Sequence, residues 1–251
     1  MIRIEIDGNE MFILATKNSA IIADRVRICL SGEAIDESDA EKALGVWITS
    51  DLKWKCQTEK LINELNYGVS VLWRLRKMLG NKEMKMIAEG LIMSRIRYCL
   101  HVYGVEGLRI NSEQSTSGLQ QAVQKVQNNV LRIITGHTRS DHVRISDMLK
   151  ATGMMSVNQM VAYGCLMESW KAAAFNVPIL GSMFDRKRRD DRNLRSDAAS
   201  MTGTCVRSNV DESFTNSAAK LWNLASEKFK STNLLVIAKQ EAKSLVRSLP
   251  I

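Results

Sequence analysis

From Trp54 to the C-terminus the chain carries only two prolines, Pro178 and Pro250, and its apolar residues recur at helical spacing almost throughout. Proline removes a backbone donor and clashes with the preceding turn, so a stretch of this length without one permits long helices. The periodicity predicts helices over 54–79, 82–101, 118–135, 141–151, 156–175, 214–227 and 232–247. The first fifty residues differ. Short alternating, β-branched runs at Met11–Ala15, Val26–Leu30 and Leu44–Thr49, with Ser31 and Gly32 as a turn, predict three strands in a small sheet. Three strands are thin for a free-standing fold, since a sheet of that size needs a helix packed on it.

Several helix boundaries have a chemical cause. Gly80 with Asn81, Gly136 and Gly153 are each able to take the left-handed conformation that closes a helix. Ser156 followed by Gln159 forms a capping-box pattern at the start of another. The segment 104–118 is polar and rich in turn residues and reads as a linker. The stretch 176–211 contains DRKRRDDRNLRSD, shows little periodicity and reads as a mobile basic loop.

Composition narrows the classes of function. The 251 residues are 45% apolar and 25% charged, which is ordinary for a globular chain with a real core. Thirty-five Lys and Arg against 27 Asp and Glu give a net charge of +8, which favours a polyanion or an acidic surface as partner. Cys29, Cys56, Cys99, Cys165 and Cys205 are odd in number and form no paired framework, so free thiols in a reducing compartment are expected. The first twenty residues hold Glu5, Asp7 and Glu10 and lack a long apolar run, and no segment has the length of a membrane span. The expectation is an intracellular protein, nuclear or cytoplasmic, neither secreted nor membrane-bound.

On the first predicted helix Leu61, Leu65, Gly68, Leu72, Leu75 and Leu79 recur at spacings of three and four and form one apolar stripe. Lys60, Asn63, Tyr67, Ser70, Arg74 and Lys77 recur likewise on the opposite side. Cations, amides and hydroxyls are the groups that bind a sugar-phosphate backbone, and they are equally what a solvated helix face carries. Spacing does not separate the two.

Other residues that invite a chemical role have plainer readings. Asp190 and Asp191 are adjacent, but in RRDDRN they are flanked by arginines with no strand to support a metal site. Cys99 with His101, and His137 with His142, lack the paired spacing of a structural zinc site and read as a core thiol and surface imidazoles. Met154, Met155, Met160 and Met167 read as core filler, and Trp170 and Trp222 as helix anchors. Arg186–Arg189, RKRR, fits a nuclear-import or phosphate-binding cluster, and its interleaved acids fit an exposed loop as well.

The segment LGVWITSDLKW at 44–54, followed directly by a helix ending WRLRKMLG, resembles the region just downstream of the catalytic palm in reverse transcriptases of non-LTR, LINE-type and jockey-like retrotransposons. Leu44, Gly45, Val46, Leu52 and Trp54 match that pattern. LIMSRIRYC at 91–99 with VYG at 102–104, VQNNVLRIITG at 126–136, GMMSVNQMVAY at 153–163 and SFTNSAAKLWN at 213–223 resemble further pieces of the family in the same order. The resemblance implies a mainly α-helical fold: a small N-terminal sheet at 1–53 as the end of the palm, thumb-like helices at 54–104, and a C-terminal helical region at 118–251. It also implies that the polar stripe touches the phosphates and 2′-hydroxyls of an RNA or DNA primer-template duplex, with the turn at Leu44, Gly45 and Val46 near the primer end. The family's paired aspartates, which hold Mg2+ in the complete polymerase, have no counterpart here, and neither do the fingers and the upstream palm. The expectation is a part of an RNA-directed DNA polymerase that binds nucleic acid, holds no cofactor of its own and does not polymerise alone, with the missing palm and fingers as further partners. The competing expectation is a helical protein-interaction module derived from a retroelement.

Overall fold

A computed structural model describes residues 38–51, 53–105, 108, 118–175, 177, 181 and 214–249 in full, and the backbone of six short strands outside them. The chain is mainly helical with small antiparallel strand pairs toward the N-terminus. It divides into two compact units, Met1–Asn63 and Glu64–Ile251, with the division falling inside a helix.

Among the described residues the first unit holds three hairpins. Strands β1 (Glu5–Asp7) and β2 (Glu10–Phe12) pair, as do β3 (Cys29–Leu30) with β4 (Glu33–Ala34), and β5 (Ala40–Ala43) with β6 (Val46–Thr49). Three strands in one sheet were expected, and among the described residues the strands instead form two-stranded ladders. Residues 13–15, 26–28, Ser31 and Gly32 lie outside the described set. Leu44 and Gly45, expected to begin a strand, form the two-residue turn between β5 and β6, with Ala43 opposite Val46. Both take positive φ, 47° and 85°, as the tightest hairpin turns require. Strand β5, AEKA, has no β-branched residue and therefore left no strand signature.

Helix α1 (Lys55–Leu75) carries the chain into the second unit. There follow α2 (Asn81–Ala88), a π-helical turn (Glu89–Met93), α3 (Ser94–Arg97), α4 (Leu100–Tyr103) and α5 (Gly118–Thr135). Next come a 3-10 turn (Arg139–Asp141), α6 (Ile145–Thr152) and α7 (Val157–Ala174). The hairpin of β7 (Phe184–Lys187) and β8 (Ser200–Gly203) precedes α8 (Phe214–Leu224), α9 (Glu227–Ser231) and α10 (Leu235–Ser248).

Gly136 and Gly153 close α5 and α6 with φ of 78° and 66°, and Ser156 accepts from the Gln159 amide while Gln159 reaches back to the Ser156 amide. Gly80 does otherwise. Its backbone is extended, so it precedes α2 as an N-cap instead of ending α1 in the left-handed region. The helix expected over 82–101 is interrupted twice. Gly90 sits in the π turn, where Ser94 Oγ donates to its carbonyl, and Cys99 takes a left-handed φ of 51°. The helix expected over 214–227 breaks at Ser226, whose hydroxyl accepts from Phe229 N–H and starts α9. The stretch 176–211, expected as a loop, contains the paired strands β7 and β8; residues 188–199, including Asp190 and Asp191, lie outside the described set, as do 109–117.

The core of the second unit is organised on α7, which packs against α4, α5, α8, α9 and α10. Its buried residues, among them Met160, Val161, Cys165, Leu166, Ser169 and Trp170, occupy most of its circumference, so VNQMVAYGCLMESWKAAA shows no polar face. Trp170 is 1% exposed, donates from Nε1 to Thr232 O at 2.8 Å and meets Phe175 edge-on at 5.3 Å. Trp222 meets Phe229 at 5.7 Å. Both tryptophans tie helices together. Close approach sets Gly104: a Cβ there would lie 2.7 Å from the Leu100 carbonyl oxygen and 2.9 Å from Val161 Cγ2.

Helix α5 buries amides as well as aliphatic residues. Gln127, fully buried, donates to Met155 O at 2.6 Å, Gln120 donates to Gly104 O, and Gln124 Oε1 accepts from Val157 N–H at 3.0 Å, satisfying the start of α7. Replacing Gln127 by leucine keeps the bulk but leaves the Met155 carbonyl without its partner. The expected loss is about 1–3 kcal/mol in denaturant unfolding; a variant as stable as wild type would show that this carbonyl finds solvent.

Candidate nucleic-acid interface

The candidate residues lie on the hairpin and the start of α1 in the first unit, and on the rest of α1 and the turn after it in the second. The apolar stripe is where the spacing placed it: Leu61, Leu65, Gly68 and Leu72 are buried, with Leu75 and Leu79 half-buried. Gly68 lets the helix approach the π turn, because a Cβ there would lie 3.0 Å from Ile92 Cγ1. Lys60, Asn63, Tyr67, Ser70, Arg74 and Lys77 are all exposed.

Exposure does not make the six equivalent. Within the first unit, Lys60 Nζ lies 2.9 Å from the centroid of the Trp47 ring, and the Trp47 amide donates to Gln57 Oε1 at 2.9 Å. A cation stacked on an indole is already in use, so Lys60 binds β6 to the start of α1. The turn joining them is closed by Asp51, which accepts from the Lys53 amide at 3.1 Å and from the Thr49 hydroxyl at 2.6 Å. The Thr49 hydroxyl, followed by the Lys53 amide, holds the Asp51 carboxyl down at about 2. These contacts explain why a short strand bearing Trp47 feeds straight into the helix: the strand residue and the helix residues satisfy one another.

Within the second unit, Ser70 Oγ donates to Tyr67 O at 2.7 Å, leaving its lone pairs outward. Among the described residues, neither Arg74 nor Lys77 has an ion-pair partner. Arg76, which the sequence places beside them, is withdrawn: its Nη1 donates to Leu79 O, and its Nη2 lies 2.7 Å from where a Cβ on Gly136 would stand. Two cations are thus presented and one is structural. Trp73, absent from the expected stripe, is 60% exposed and lies three residues after Ser70 on α1, so the two neighbour each other on the helix surface. Tyr67 is 72% exposed on the same helix. The signal for Trp73 was its place outside the leucine stripe.

At the hairpin turn the three expected residues separate. Leu44 is 91% exposed at the tip in a left-handed conformation, Gly45 completes the turn, and Val46 is buried. Only Leu44 projects a side chain from this turn. A left-handed leucine costs roughly 1–2 kcal/mol, and strain of this kind gathers at functional positions.

Cys99 and His101 are half-buried, and burial raises the Cys99 thiol and lowers the His101 imidazole. His137 faces Asp141 at 3.7 Å. Among the described residues no group of three His, Cys, Asp or Glu side chains is placed to hold a metal ion, and no helix is long and apolar enough to cross a membrane. Comparison with protein-family models, with curated proteins and with solved structures finds no match.

Proposed function

We propose that the chain is the thumb and C-terminal part of a non-LTR retrotransposon reverse transcriptase, and that it binds a primer-template duplex through the outward face of α1 and the turn that follows it. The observation that carries this reading is the pair Arg74 and Lys77, exposed and without ion-pair partners among the described residues, flanked by the exposed rings of Tyr67 and Trp73. Unpaired cations beside accessible aromatic rings supply the electrostatic and the stacking contributions that nucleic acids take. The net charge of +8 acts in the same direction. Lys60 is left to the hairpin. The chain contributes positioning without the Mg2+-binding carboxylates, so the reading includes no primer extension by this chain alone.

The experiment is a salt series of binding to an RNA–DNA primer-template hybrid. Each phosphate contact releases counterions, so the Arg74→Ala, Lys77→Ala double variant should flatten the slope of log affinity against log salt by about two units. Lys60→Ala should leave the slope unchanged. Equal slopes for wild type and the double variant would remove the reading. They would leave a helical protein-interaction module, which the exposed Leu234, Leu235 and Val236 before and at the start of α10 favour.

A further inference from the structure

The second unit contains a cleft of about 370 Å3 bordered by α3, α4, α7 and α10. Its floor is apolar: Leu100, Met160 and Met167 are buried side chains whose surfaces line it. Its rim is cationic, carrying Arg97, Lys171 and Lys239 against the single acid Glu168. Glu168 is held by Lys171 at 2.7 Å, and Arg97 is paired with Glu89. That leaves Lys239, exposed and with no ion pair among the described residues, as the uncompensated charge.

Two rings add hydrogen-bonding groups that carry no charge near neutrality. Burial lowers the His101 imidazole and raises the Tyr163 phenol, so the first is neutral and the second keeps its proton. Gly164 makes room for the first of them, since a Cβ there would lie 2.8 Å from His101 Cβ. An apolar chamber of this size with a few convergent polar groups matches the general form of a small-molecule site.

We propose that this cleft binds a small amphipathic carboxylate, with a flat apolar body on the methionine and leucine floor and its single negative charge at Lys239. One uncompensated cation matches one charge. The flexible thioethers of Met160 and Met167 adapt to a planar body, and methionine surfaces are suited to such accommodation. None of these residues belongs to the outward face of α1, so the two sites stand or fall separately.

The test uses the full chain with 13C-labelled methionine methyl groups and two isosteric probes, 2-naphthoate and the neutral 2-naphthamide. Naphthoate should shift Met155, Met160 and Met167 saturably while leaving Met78 and Met86, exposed elsewhere at 79% and 68%, in place. It should bind about tenfold more tightly than the amide, the scale of one charge-assisted contact. Lys239→Glu should remove that advantage, whereas Lys150→Glu on α6, which makes the same change in net charge outside the cleft, should retain it. Equal affinity for the two probes, equal shifts at Met78 and Met86, or no shift at the cleft methionines would each overturn the proposal.

Discussion

Replacing Trp170 with alanine is expected to lower the stability of the second unit by about 3–5 kcal/mol, the largest loss for any single side chain considered. Three costs coincide there. The indole is 1% exposed, so its removal leaves a large cavity in a helix that is packed on most sides. Its N–H satisfies Thr232 O, in the turn that leads into α10. Its edge contact with Phe175 is lost as well. Whole domains are stable by only about 5–15 kcal/mol, so the variant should unfold at much lower denaturant. Trp73→Ala is the internal control, because an indole 60% exposed should change stability by no more than about 0.5 kcal/mol. A Trp170→Ala protein no less stable than Trp73→Ala would mean that α7 is not the centre of the core. Trp170→Phe should fall between, keeping most of the apolar volume and losing the hydrogen bond.

The second large effect separates the two faces of α1. Leu72 is fully buried within the second unit, so Leu72→Ala should cost about 2–5 kcal/mol, with Leu65→Ala in the same range. Arg74→Ala and Lys77→Ala lie outward, and each should stay within about 0.5 kcal/mol of wild type. Denaturation and nucleic-acid binding measured on the same four proteins should therefore sort them oppositely, the leucine variants losing stability and the cation variants losing salt-sensitive affinity. A leucine variant that is as stable as wild type, or a cation variant that unfolds, would show the helix rotated from the orientation described.

The polar face of α1 was legible in advance because a helical period needs no partner: Lys60, Asn63, Tyr67, Ser70 and Arg74, three and four apart, share a side whatever that side meets, whereas the helix expected to run to 79 ends at Leu75 and Lys77 is presented from the turn after it. Which of its cations are available was not legible. Arg74, Arg76 and Lys77 stand within four residues in WRLRKMLG, and Arg76 is withdrawn by the Leu79 carbonyl close by and by the neighbourhood of Gly136, sixty residues on. Lys60 belonged to the stripe by spacing and to Trp47 by contact. The cleft was equally invisible, since Arg97, Met160 and Lys239 are distant in sequence and their side chains meet only when α3, α7 and α10 are assembled.

Local chemistry was therefore written in the sequence. The helices, the left-handed closures at Gly136 and Gly153 and the cap at Ser156 each depend on groups within about one turn of one another, and short-range hydrogen bonds form with the same partners in any surroundings. Tertiary structure decided the rest: that α7 is buried almost all round, that Trp170 points inward while Trp73 points out, and that Gly104 has no room for a methyl group. The contacts responsible run from Gln127 to Met155 and from Trp170 to Thr232, and side chains of one type differ in role there because burial depends on which distant element arrives to cover them.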